Sequence, residues 1–135
     1  MPNPLSILLV DDEAISALSL SLQLQNAGYP SCQIEGSGEK AVKAALSGSF
    51  DVILMDVRLA GKMTGLDAAR QIRAAGLETP VIFMSGYADA EYRDETASLN
   101  PTAYLVKPIR FAELLRILEH TGKPQDKSVR CHDGV

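Results

Sequence analysis

Five residues with reactive side chains stand where apolar runs stop. Asp11-Asp12 follows Ile7 to Val10, Asp56 follows Val52 to Met55, Ser85 follows Val81 to Met84, and Lys107 follows Ala103 to Val106. Taken singly, each could mark only the start of a loop. Together they comprise three carboxylates, a hydroxyl and an ammonium, a complementary set that points to one site. Crowded carboxylates repel unless a cation joins them, and Mg²⁺ takes one or two carboxylates with waters and phosphate oxygens. Asp12 and Asp56 suit direct ligation and Asp11 ligation through water. The metal would screen an incoming phosphoryl group so that Asp56 could attack phosphorus and form an acyl phosphate. Ser85 and Lys107 then supply a hydroxyl donor and a cation for the phosphoryl oxygens.

The elements that must position these residues follow from the same runs. Apolar stretches without polar alternation predict strands covered on both faces, and hence a parallel sheet between helices. In such sheets ligands sit outside the carboxyl ends of the strands, where all four runs deliver their reactive residues. Ser31 to Glu35 reads as a further short strand. Helices are predicted from Glu13 to Asn26, from Ser37 through Leu46 with Gly48 as terminator, and from Gly65 to Ala75 ended by Gly76. Two more run from Ala90 to Leu99, stopped by Asn100-Pro101, and from Arg110 to His120 with Phe111, Leu114, Leu115 and Leu118 inward. A βα unit repeated five times with right-handed crossovers gives an α/β three-layer sandwich with five parallel strands and five helices.

The first helix carries a conflict. Leu18, Leu20, Leu22 and Leu24 alternate with a strand's period of two, yet Ala, Leu and Gln favour helix and Ile15 is the only β-branched residue. On a helix, Ala14, Ile15, Leu18 and Leu22 share the face expected against the sheet. Ala17, Leu20 and Leu24 then form an apolar ridge toward solvent, suited to self-association or partner docking.

At 135 residues the chain can bury one core without staples. No apolar run approaches the roughly 18 residues of a membrane span, and the start lacks a secretion signal, so a cytoplasmic protein without membrane insertion is expected. Cys32 and Cys131 match no metal spacing and read as free thiols. A net charge of −4 offers no basic face for direct nucleic-acid binding.

The chain resembles the receiver domain of two-component response regulators, CheY-like and of single-domain type. Asp11-Asp12, Asp56, Ser85 and Lys107-Pro108 carry the resemblance, which covers about residues 5 to 120. It implies a flavodoxin-like fold with strand order 2-1-3-4-5 and a phosphorelay switch. In that switch Asp56 takes a phosphoryl group from a histidine kinase or histidine phosphotransfer protein and so alters binding of a downstream protein target. It further implies Mg²⁺ held by Asp12, Asp56 and the Arg58 carbonyl, with Asp11 beside them, and a cis bond between Lys107 and Pro108. Ser85 and Tyr104 are the expected switch residues, whereas Tyr104 alone would read as a strand-core aromatic. Arg58 and Tyr87 are expected to flank the path of hydrolytic water, and Ile117 on the last helix to extend the ridge of the first.

Two departures from the family pattern stand out. The loop from Asp56 to Gly65 is one residue longer than the commonest form, with Ala60 where proline is frequent, and no output domain is expected to follow. Residues 1–121 are expected to form the domain and 122–135 a flexible tail. The chain is then no enzyme beyond its own phosphoryl transfer and autodephosphorylation. The competing function is a Mg²⁺-dependent phosphohydrolase with an aspartate nucleophile. Those enzymes place the nucleophile on the first strand with a second acid two residues on, a spacing that Asp11-Asp12-Glu13 lacks.

Overall fold

Ile7, Leu8, Leu9 and Val10 have no exposed surface, so β1 (Ile7–Val10) must be covered on both faces. The same holds for β3 (Val52–Asp56) and β4 (Val81–Ser85), buried at every position. The computed structural model describes residues 5–86 and 93–121. The less buried strands β2 (Cys32–Glu35) and β5 (Ala103–Val106) form the two edges of one parallel sheet, ordered β2-β1-β3-β4-β5. Register aligns Val10 with Met55 and Asp56 with Met84, so the strands end close to one level. Order reverses between β1 and β3, where open α/β sheets leave a crevice.

Two cores lie on opposite faces of the sheet. On one, α2 (Gly38–Ser47) and α3 (Gly65–Ala74) pack Ala41, Ala45, Leu66, Ala69 and Ile72 onto Leu8, Val10, Ile53, Met55 and Phe83. On the other, α1 (Ala14–Asn26) and α5 (Phe111–Thr121) pack Ala17, Leu24, Leu114 and Leu118 onto Ile7, Leu9, Leu54, Ile82 and Met84. Phe111 and Leu115 are partly buried there, as expected. The described part of the fourth helix, α4, is Arg93–Ala97; it closes in turns at Leu99 and at Asn100, whose φ of 56° suits a stop before Pro101. The expected start of that helix at Ala90 and the expected tail 122–135 lie outside the described residues.

The helix ends obey local chemistry. Ser37 caps α2 by accepting the Lys40 N–H, and Thr64 and Asp67 cap α3 reciprocally. Gly76 closes α3 at φ +93°, a conformation that side chains resist, whereas Gly48 ends α2 in extended backbone. Asn26 and Ala27 pass the chain through Gly28 (φ +101°) to the buried Tyr29.

The phase of α1 is the reverse of the expectation. Ala17 and Leu24 are fully buried and Leu20 is partly so, while Ile15, Leu18 and Leu22 are exposed. Leucines spaced by two residues fall about 200° apart on a helix, so α1 has two apolar faces and composition does not choose between them. The connections choose. The Asp11 carboxylate accepts the Glu13 N–H, the Glu13 carbonyl accepts the Ala17 N–H, and Tyr29 returns its N–H to the Leu24 carbonyl. A three-residue link from β1 thus turns Ala17, the smaller residue, onto the sheet.

Candidate functional site

Asp56 ends a strand that is buried at every position and is itself only 4% exposed. Its Oδ2 accepts a hydrogen bond from Lys107 Nζ at 2.7 Å, and its Oδ1 accepts the Arg58 N–H at 3.1 Å. Asp11, also buried, and Asp12, exposed, follow β1 and bring carboxylate oxygens to Asp56, all three within 4.8 Å of one another. Asp11 Oδ1 accepts the Glu13 N–H at 2.9 Å, and Asp12 Oδ2 accepts the Ala60 N–H at 2.8 Å. The long loop after β3 therefore folds back over the first pair of acids. An open crevice of about 560 Å³ lies above, lined by Asp12, Asp56, Arg58, Ala60, Gly86 and Lys107 among others.

The electrostatics are strained toward negative charge. Burial pushes the Asp56 carboxyl above its ordinary value; the hydrogen bond and charge of Lys107 and the Arg58 N–H pull it down without cancelling that, and Asp11 adds to the rise. Burial lowers Lys107, but the Asp56 hydrogen bond and charge, with Asp11 and Glu13 behind, leave it raised overall. The three clustered carboxylates outnumber the one ammonium, that of Lys107, which pairs with Asp56. The clustered ligand atoms are all hard carboxylate oxygens at short mutual range, which fits a divalent cation such as Mg²⁺ and not a soft metal.

The remaining expected residues are placed as follows. Ser85 is fully buried at the end of β4, its hydroxyl donating to the Gly86 carbonyl at 3.0 Å and its own carbonyl accepting the Lys107 N–H at 2.7 Å. Tyr104 is half-buried on β5, opposite Phe83 and against the α2–α3 core. Arg58 is exposed at the crevice, and the Lys107–Pro108 bond is cis. Tyr87 lies outside the described residues.

Three positions escaped the sequence reading. Gly65 opens α3 so close to β3 that a Cβ there would run into the Asp56 carbonyl oxygen, and its N–H donates to the Val57 carbonyl at 2.8 Å. The ladder Thr64-Gly65-Leu66-Asp67 is a capping signature that could have been read directly. Ala60 and Met63 hold the long loop, Ala60 through Asp12 and Met63 by lying against Gly38, where no side chain would fit without displacing it. Nothing in the type of Ala60 reveals a role played by its backbone.

A model of the response regulator receiver domain matches residues 7–119. The chain belongs to the response regulator receiver family. Among curated relatives, the transcriptional regulatory protein DltR of Streptococcus agalactiae serotype III is 32% identical over 109 residues, covering 81% of this chain and 48% of DltR. The chain spans about half the length of that relative, and 26% of the transcriptional regulatory protein ZraR of Escherichia coli K12, also 32% identical. Among solved structures, the receiver domain of the sensor histidine kinase PA1611 from Pseudomonas aeruginosa PAO1 is 34% identical with a TM-score of 0.77. The match covers 86% of this chain and 95% of that one, and the PA1611 structure has a magnesium ion coordinated in its active-site cleft. The strand order and five βα units of the receiver fold are those observed here. Among the described residues, no helix is long and apolar enough to cross a membrane.

Proposed function

We propose that Asp56 is the phosphoacceptor of this receiver, charged by a histidine kinase or histidine phosphotransfer protein, and that the phosphorylated domain changes its affinity for a downstream protein. The reading rests on one observation: a buried carboxylate at the sheet's switch point, hydrogen-bonded to Lys107 and flanked by Asp11 and Asp12. Asp12 and Asp56, with the Arg58 carbonyl, would hold Mg²⁺, with Asp11 acting through water, and the ion would neutralise charge on the phosphoryl oxygens. The magnesium in the PA1611 cleft supports that assignment.

In the transfer, an Asp56 carboxylate oxygen forms a bond to phosphorus as the bond from phosphorus to the donor's nitrogen or oxygen breaks, and the donor leaves with that electron pair. Lys107 is already within hydrogen-bond distance of the attacking carboxylate and follows the negative charge onto the phosphoryl oxygens. Ser85 exchanges its Gly86 acceptor for a phosphoryl oxygen, and Tyr104 turns further into the α2–α3 core. The chain is on this reading a switch with self-catalysed chemistry, not an enzyme acting on a separate substrate. The names of DltR and ZraR concern longer proteins, of which this chain matches about half and about a quarter; its net charge of −4 argues against direct nucleic-acid binding by the domain itself.

Intact-mass measurement with acetyl phosphate and Mg²⁺ tests the assignment. The wild-type chain should gain one phosphate, labile in acid and base, and Asp56→Asn should gain none. An acid-stable phosphate retained by the Asn variant would move the modification to a hydroxyl and overturn the reading.

A further inference from the structure

The three clustered carboxylates each accept a peptide N–H, but not in the same way. Asp11 takes that of Glu13 at 2.9 Å and Asp56 that of Arg58 at 3.1 Å, in both cases from two residues further along the acid's own loop. Such a bond is local and comes with the turn that ends the strand. Asp12 is held from elsewhere. Its Oδ2 accepts the Ala60 N–H at 2.8 Å, from a residue 48 positions away in the loop after β3. Asp12 is also the exposed member of the cluster, whereas Asp11 and Asp56 are buried. At the surface its carboxylate has water to turn into, and repulsion from its two neighbours pushes it that way.

The donor is seated on both sides. Leu59, just before it, is buried with Val57 and Leu66 in the α2–α3 core, and Met63 packs against that core and against Gly38 at the start of α2. Between these anchors Gly61 turns the chain at φ +96°, and the reciprocal cap of Thr64 and Asp67 closes the loop. The Ala60 N–H is therefore presented to Asp12 by a loop whose position the core fixes.

We propose that this N–H is a positioning group for the metal site. By holding one oxygen of Asp12 it keeps the carboxylate beside Asp11 and Asp56 against their repulsion, and leaves the other oxygen for Mg²⁺. The inference rests on the reading of the cluster as a Mg²⁺ site, and adds to it the long loop as the part that completes the site. Groups that orient a metal's ligands in this way govern affinity by about 10- to 100-fold, and the exposure of Asp12 sets the lower end of that range here. Without metal, the bond and the repulsion it opposes offset each other, so its loss changes stability little. With the cation bound the repulsion is gone, and the orientation counts in full.

Calorimetric titration of the full-length chain with magnesium chloride, paired with urea unfolding in the absence of metal, is the test. Ala60→Pro removes the N–H and should weaken Mg²⁺ binding about tenfold while the metal-free urea midpoint stays near that of wild type. Ala60→Ser keeps the N–H and should bind as wild type does. Equal affinity of wild type and the proline variant overturns the proposal, as does a serine variant weakened as much as the proline one. Should the proline variant also lose metal-free stability, hydrogen exchange on the wild-type chain decides: the Ala60 amide should be protected both without metal and at saturating Mg²⁺, and an amide that exchanges as in an unfolded chain overturns the proposal. A wild type that binds no Mg²⁺ overturns the metal reading itself together with this inference, whereas a wild type that binds and a proline variant that matches it overturn the inference alone.

Discussion

As the proposed phosphoacceptor, Asp56 answers two opposed demands, since a nucleophile must be ionised and burial disfavours the ion. Its carboxyl is held above the ordinary value chiefly by burial, against the pull of Lys107. The folded state therefore keeps this proton to a higher pH than the unfolded chain does, and stability falls as pH rises through the folded value. Above that window the ionised group is a standing cost; below the ordinary carboxylate range the cost is absent. Lys107 works in the other direction, since its raised value contributes stability that is present at neutral pH and lost only when strong alkali removes its proton. Asp56→Asn removes the buried charge while Lys107, about one-third exposed, can turn to water. Thermal unfolding without metal should show the Asn variant more stable than wild type at neutral pH, with the gap closing on acidification. Mg²⁺ should then raise the melting temperature of wild type more than that of the variant, because the variant lacks a ligand. An Asn variant less stable than wild type at neutral pH would show that the Lys107 pair outweighs burial.

The elements differ in how plainly their roles were written in the chain. The three central strands were legible because burial on both faces forces an unbroken apolar run, and a carboxylate or hydroxyl closing such a run has nowhere to point except the sheet's carboxyl edge. The outer face of α1 was not legible, because Leu18, Leu20, Leu22 and Leu24 serve either phase equally and the three-residue link to β1 decides. Backbone partners were equally hidden. Arg73 reads as a surface arginine, yet its guanidinium donates to the carbonyls of Thr79, Leu77 and Leu99 and ties the α3–β4 loop to the end of α4. Gly65 reads as a helix start, yet its missing side chain is what lets α3 sit on the end of β3. Gly65→Ala must push the first turn of α3 off the Asp56 carbonyl, and should cost about 1–3 kcal/mol in denaturant unfolding, the usual range for a side chain forced into a filled space. It should also weaken Mg²⁺ binding, since the strand end that displaces is the one carrying the ligand. Gly36→Ala is the control, because a Cβ there meets only the Asp11 carbonyl at 4.0 Å. Equal stability of the two variants would mean that α3 tolerates the shift and that its seat on β3 has no bearing on the site.

Across the whole molecule, the reacting carboxylate and the expected switch edge lie on different strands, and Lys107 joins them. Its side chain reaches Asp56 at the end of β3, its backbone N–H bonds to Ser85 at the end of β4, and it directly follows β5, which carries Tyr104. A phosphoryl group on Asp56 would draw the ammonium away from the carboxylate oxygen it now holds, and through Ser85 and β5 that movement reaches Tyr104 without any long-range rearrangement of the core. The acids that would bind Mg²⁺ do not need Lys107, and in the proposed transfer the bond to phosphorus is made by Asp56. Lys107→Ala should therefore still gain phosphate from acetyl phosphate, more slowly because one charge on the phosphoryl oxygens goes unanswered. What it should lose is the consequence: hydrogen exchange at Ser85 and across Ala103–Val106 should change on phosphorylation of wild type and stay as in the unmodified protein in the variant. Removing the ammonium paired with Asp56 also leaves the three carboxylates more repulsive, so Mg²⁺ should bind the variant more tightly than wild type in a calorimetric titration. If the phosphorylated variant shows the wild-type exchange pattern, coupling runs through Ser85 alone and Lys107 serves only the transfer.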